Sequence, residues 1–170
     1  MRALLPLTGA ALLAAGLTAG QQPQTARAEL VDAQGRRVGT ATLTETPHGV
    51  LLWANFTALP AGTHAFHVHQ VGRCEPPFDS AGGHFNPGGR RHGFRSPEGP
   101  HAGDMPNLHV PESGRLEIEI LLHDATLAAG PRTLLDADGS ALVVHAGTDD
   151  YMTDPAGNSG ARIACGVVRR

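Results

Sequence analysis

At 170 residues the chain has room for one domain around a single hydrophobic core, and 41% apolar residues exclude a disordered chain. A formal net charge of −3, with no Lys/Arg cluster interleaved with aromatics, excludes a nucleic-acid binder. The 22 glycines and 13 prolines forecast many turns and long loops, and ten histidines are the unusual part of the composition.

The first segment stands apart. Arg2 precedes an apolar run from Ala3 to Ala19, and small residues then lead into Gln21-Gln22-Pro23. This is the three-part pattern of a secretory signal peptide over residues 1–20, leaving one domain over 21–170. Cleavage is expected after Gly20, or as late as Ala28. Pro6, Thr8, Gly9 and Gly16 interrupt the run and make it a poor membrane anchor, so no membrane span is expected in the mature chain. An uncleaved anchor is the alternative. The expected location is outside the cytoplasm: periplasm, cell envelope or extracellular space. Cys74 and Cys165 are the only cysteines, and an even count in an oxidising compartment points to a disulfide rather than two buried thiols.

Past the leader, residues 27–32, 37–46 and 49–58 are predicted strands, punctuated by Gln34-Gly35 and Pro47-His48-Gly49. Residues 64–70 alternate, with Phe66 and Val68 facing one way and His67 and His69 the other. Residues 115–122 alternate again, with Leu116, Ile118, Ile120 and Leu122 on the core side. Residues 140–145 and 161–168 complete seven or eight strands without a helix, which fits an all-β antiparallel sandwich or barrel. Between Gly72 and Pro111 no strand pattern is visible, and eight glycines and seven prolines fall within these forty residues. A loop that long inside a compact domain needs something other than a core to hold it.

That loop carries His84, His92, His101 and Asp104, three imidazoles and one carboxylate, the donor set of a closed tetrahedral zinc site. Gly103 is expected to permit the turn that returns Asp104 towards His101. On the strand, His67 and His69 are two residues apart and share a face, so they can chelate one ion; His145 ends a separate apolar strand.

Five fragments together carry a resemblance: Phe66-His67-Val68-His69, His84-Phe85-Asn86-Pro87, His101-Ala102-Gly103-Asp104, Val143-Val144-His145 and Gly157-Asn158-Ser159-Gly160-Ala161-Arg162-Ile163-Ala164-Cys165-Gly166. In order and spacing, from about residue 25 to 168, the chain resembles the copper/zinc superoxide dismutases. The resemblance implies a Greek-key β-sandwich or barrel of about eight strands with long metal-binding loops. It implies copper held by His67, His69, His84 and His145, and zinc held by His84, His92, His101 and Asp104, with His84 shared. Asp149 matches the aspartate that links ligands of the two metals, with Asp150 the competing assignment. Arg162 matches the arginine beside the copper, and Cys74 and Cys165 match the family disulfide. The implied activity is dismutation of superoxide anion to dioxygen and hydrogen peroxide, with His84 passing a proton and Arg162 guiding the anion. The rival is an exported metal-binding or copper-buffering protein on the same fold, without that activity.

Four extra residues between Cys74 and His84, and a short lysine-free segment over residues 150–156, resemble the exported bacterial branch of the family. The second feature leaves Arg162 as the one evident cation there, and Arg90, Arg91 and Arg95 have no place assigned by the sequence. A homodimer is possible on the family pattern. His48, His64, His109 and His123 receive no role.

Overall fold

The computed structural model describes residues 24–170, so the leader expected over residues 1–20 lies outside the described residues. β1 (Thr25–Asp32), β2 (Arg37–Thr46) and β3 (Gly49–Phe56) form an antiparallel meander, in register from Thr25↔Thr44 and from Gly39↔Phe56. The alternating residues of these strands make the core face: Leu30, Leu43, Leu52 and Phe56 are fully buried. Each such side chain contributes about 1.5–3 kcal/mol by leaving water.

Two short strands follow, β4 (Gly62–His64) and β5 (Phe66–His69), then β6 (Leu108–Val110), β7 (Leu116–Leu122), β8 (Ala141–His145) and β9 (Arg162–Val167). Seven of the nine form one curled antiparallel sheet in the order β5-β8-β9-β1-β2-β3-β7. β4 and β6 pair with each other, and since they lead into β5 and β7, this ribbon ties together the two edges of the sheet. Phe66 packs edge-to-face on Phe56 with ring centroids 5.6 Å apart, so β5, the first strand of the sheet, meets β3, the sixth, across one core.

The predicted all-β antiparallel architecture is the one observed, with two differences in detail. The run 64–70 is divided at Ala65, whose N–H donates to Gly147 O and whose carbonyl accepts from His145 N, so the chain changes partner between β4 and β5. The stretch 72–111, read as strandless, contains β6; flanked by Pro106 and Pro111, three residues are too few to leave a period in the sequence.

β8 is buried along its whole length, because both of its faces are covered. Leu142 and Val144 enter the main core. Ala141 and Val143 face the other way, into a small cluster with Phe78, Ala81 and Cys165. His67, His69 and His145 share that second face, since His67 is paired with Val143 and His69 with Ala141. The disulfide Cys74–Cys165 closes a sequence separation of 91 residues and fastens the segment 74–83 to β9. In a chain-entropy account such a closure stabilises by about 4–5 kcal/mol.

Candidate metal centre

The free edge of β5 seats the long loop. Phe85 N donates to Val68 O and Val68 N donates to Gly103 O, at 2.8 and 2.9 Å, giving isolated bridges His69↔His84 and His67↔Asp104. The expected turn at Gly103 is present, with Asp104 N donating to His101 O at 3.2 Å, and glycine is needed there for close approach as well: a Cβ would strike Val68 O and crowd Phe85. The loop is held at two points by backbone hydrogen bonds before any side chain acts.

Among the described residues three groups of ligand-type side chains have their donor atoms within 4.8 Å of one another: a first set of His67, His69, His84 and His145, a second of His84, His92, His101 and Asp104, and the linking trio His67, His92 and Asp149. All seven residues of the first two sets are buried. The structure thus brings together both sets expected from the sequence, with His84 common to them.

In the second set, Oδ1 of Asp104 is faced by Nδ1 of His84, His92 and His101 at 2.8, 3.1 and 3.3 Å. Its Oδ2 accepts the backbone N–H of Gly93 and His101 at 2.9 and 3.0 Å, which fixes the carboxylate in the plane that the rings need. Burial raises the Asp104 pKa, but the hydrogen bonds from His101, His84 and His92 outweigh it and hold the carboxyl far below the usual range. Burial opposes charge on His92, yet its bonds to Asp104 and Asp149 win and raise its pKa to about 9.

The first set is arranged differently. Gly82 O accepts the His69 Nδ1–H at 2.9 Å and Gly160 O accepts the His145 Nδ1–H at 3.2 Å. Carbonyls only accept, so each neutral ring carries its proton on Nδ1 and presents a bare Nε2. Those two Nε2 atoms face each other at 3.4 Å. Burial first, and then the neighbouring His84, push the His69 pKa down to about 2; burial and His67 push His145 down to about 3. The rings therefore do not take up protons to relieve the facing lone pairs. Two more nitrogens, His67 Nδ1 and His84 Nε2, are buried with no hydrogen-bond partner, and a buried polar atom without a partner costs about 1–3 kcal/mol. Four imidazole nitrogens converging with lone pairs inward fit a transition-metal cation of nitrogen preference. Three nitrogens around one carboxylate oxygen fit zinc.

Asp149 joins the sets: Oδ2 accepts the His67 Nε2–H at 2.8 Å and Oδ1 faces His92 Nε2 at 2.9 Å. Each of its two oxygens orients a ring of a different set, the arrangement by which carboxylates fix ligand tautomers. Asp150, the competing assignment, is only half-buried and caps a turn through Met152 N and Thr153 N, both at 2.8 Å. Gly157 is required behind Asp149, because a Cβ at its φ of +64° would strike the Asp149 carboxylate and His92.

Arg162 is half-buried, with Nη1 on Phe78 O and Nη2 on Gly82 O, both at 2.7 Å. Burial lowers its pKa and Asp79 opposes this, and a guanidinium stays charged in either case. With His145, Thr153, Asn158 and Ser159 it lines an open hollow of about 420 Å³ that leads to the first set. Arg90, Arg91 and Arg95 are engaged elsewhere, on Gly99 O, on Glu98 with Asp154, and over the Tyr151 ring.

Sequence reasoning missed several supports. Asn107 exchanges hydrogen bonds with the Asp149 backbone in both directions at 2.9 Å, while its own N–H donates to the Tyr151 hydroxyl at 2.7 Å. His64, buried, spans His145 O and Pro60 O at 2.9 and 3.0 Å. Backbone carbonyl acceptors such as Gly82 O carry no signal in the sequence at all.

Comparison with known proteins agrees with this geometry. The family described as copper/zinc superoxide dismutase (SODC) matches residues 37–168. The chain is 50% identical over 151 residues to "Superoxide dismutase [Cu-Zn] 2" of Aquifex aeolicus, covering 87% of this chain and 88% of the relative. It is 44% identical over 139 residues to the Caulobacter vibrioides "Superoxide dismutase [Cu-Zn]", covering 79% and 80%. Among solved structures, a double mutant of a SOD-like protein from Bacillus subtilis superposes with a TM-score of 0.81 at 41% identity, covering 85% of this chain and 97% of that one.

Proposed function

The chain belongs to the copper/zinc superoxide dismutase family, enzymes that convert superoxide to dioxygen and hydrogen peroxide with bound copper and zinc, and on that premise we propose which atoms of this chain do the work. Copper is held by His67 Nδ1, His69 Nε2, His84 Nε2 and His145 Nε2. Zinc is held by the Nδ1 atoms of His84, His92 and His101 with Asp104 Oδ1. The observation that carries the assignment is the pair of buried, unpartnered nitrogens, His67 Nδ1 and His84 Nε2, beside two facing imidazole lone pairs.

Copper supplies one-electron redox chemistry and zinc supplies none. The remaining tasks fall to side chains. Arg162 presents its guanidinium at the hollow and orients a small anion, the preorganised charge that such a substrate requires. His84 holds and releases a proton at Nε2, while Nδ1 stays directed at the Asp104 side. Asp149 keeps His67 and His92 in the tautomers that the two sets need.

The protein is exported, with a leader ending at Gly20. The disulfide supports an oxidising compartment. The position of β1 supports the earlier cleavage site, because cutting after Ala28 would remove half of that strand, including the buried Ala26 and Ala28.

Metal analysis and a superoxide assay on the mature protein and on His145→Ala test the assignment. The expected result is one copper and one zinc per wild-type chain with catalytic removal of superoxide, and a variant that keeps zinc but loses copper and activity. Copper bound equally by both proteins, with neither active, would replace this reading with copper buffering.

A further inference from the structure

Resting on the copper assignment above, we propose that Ser159 is a positioning residue for His145, acting through its hydroxyl on the ring atom that does not face the metal set. Ser159 is 1% exposed, and its Oγ lies 3.1 Å from His145 Nδ1. Its main chain is fixed on both sides: the N–H donates to Ala156 O at 3.2 Å, and the carbonyl accepts from Gly147 N at 2.9 Å. The hydroxyl therefore has no freedom to leave the ring through backbone motion.

His145 is held unlike its partners. The non-ligand nitrogen of His69 has one acceptor at 2.9 Å, and that of His67 has one carboxylate at 2.8 Å. His145 Nδ1 has two neighbours, Gly160 O at 3.2 Å and Ser159 Oγ at 3.1 Å, both longer than those single bonds. When Nε2 is the ligand atom the ring proton is on Nδ1, so Ser159 must accept there, and the proton is shared between two acceptors in a three-centre bond. One long bond to Gly160 O would leave the ring loosely oriented about its Cβ–Cγ bond. A second acceptor at an angle to the first fixes the ring plane and adds electron density to the imidazole, which makes Nε2 a stronger donor. Both acceptors directly follow the turn over residues 154–158, and Asn158, Ser159 and Gly160 also wall the hollow beside Arg162.

The test uses zinc-loaded wild type, Ser159→Ala and Ser159→Thr, titrated with cupric ion against a competing chelator and followed by the visible copper band and electron paramagnetic resonance. Ser159→Ala is expected to bind cupric ion about tenfold more weakly, at the low end for partners of this kind, with a displaced spectrum and zinc content unchanged. Ser159→Thr, which keeps the hydroxyl, restores both affinity and spectrum. Wild-type affinity and spectrum in Ser159→Ala would overturn the inference while leaving the copper assignment intact. Failure of the wild type itself to bind copper in a His145-dependent way would overturn the assignment, and this inference with it.

Discussion

The two ligand sets are built by opposite means. His67, His69 and His145 stand on β5 and β8, where ladder hydrogen bonds fix the backbone and carbonyls or Asp149 fix each ring. His84, His92, His101 and Asp104 stand on a stretch with little regular structure, where the side chains are positioned largely by one another around a single carboxylate oxygen. The first set exists because the sheet exists. The second is seated on the edge of β5 by backbone hydrogen bonds, and a cation among its donors is expected to supply the rest of the order of a loop so rich in glycine and proline.

Stripping the metals is the strongest way to separate the two regions. With chelator, amide exchange over residues 84–107 is expected to accelerate by roughly a thousandfold, about 4 kcal/mol, the stabilisation lost when a ligand present at a thousand times its Kd is removed. Amides of β5 and β8 should change little. Equal acceleration in both regions would mean that the strand-borne set depends on metal as much as the loop does.

Asp149→Ala cuts the link between the regions. Both metals are expected to bind about 10–100-fold more weakly, because His67 and His92 each lose the carboxylate that orients them. Competition titrations with each metal would read this, and a loss confined to zinc would restrict Asp149 to the loop side.

Arg162→Ala removes no donor of either set. It should keep both metals and lose about tenfold in rate, with a shallower dependence on ionic strength. A rate unchanged across a salt series would remove Arg162 from substrate guidance.

Acidity distinguishes the regions more gently. In the metal-free protein the folded His92 pKa of about 9 lies above its ordinary 6.5, so its protonated form stabilises the fold fully below about pH 6.5, and that contribution fades as pH rises through about 9. Zinc must displace this proton, so zinc affinity should rise by about tenfold per pH unit up to about 9 and then level off. His69 and His145, at about 2 and 3, are already neutral over that range and demand no such displacement. A zinc affinity flat between pH 6 and 8 would contradict the proton assigned to His92.

The strands were legible because a period of two survives wherever one face is buried, as in Leu116 to Leu122 and in Phe66 to His69. The convergence of the two donor groups was legible because imidazole and carboxylate are the groups that hold such metals, and because their order resembled a known family. Ala65 was not legible: its change of partner is decided by the end of β8, about eighty residues away. Asn107 and Ser159 were not legible either, since an amide and a hydroxyl in a loop look the same whether they face water or a buried ring. Gly103 was legible as part of the turn that returns Asp104 to His101, but not its close approach to Val68 O, which depends on a strand about thirty-five residues away.

Gly82 O receives both the His69 Nδ1–H and the Arg162 Nη2. The ring that would hold the metal and the cation that would meet the anion are thereby surveyed from one benchmark. If the segment 74–83 shifts, both move together and the gap between them is conserved, much as two instruments bolted to one plate keep their alignment when the bench trembles. The disulfide at Cys74 moors that plate to β9, three residues beyond Arg162, so the calibration of the entrance is inherited from the sheet rather than from the loop that covers it.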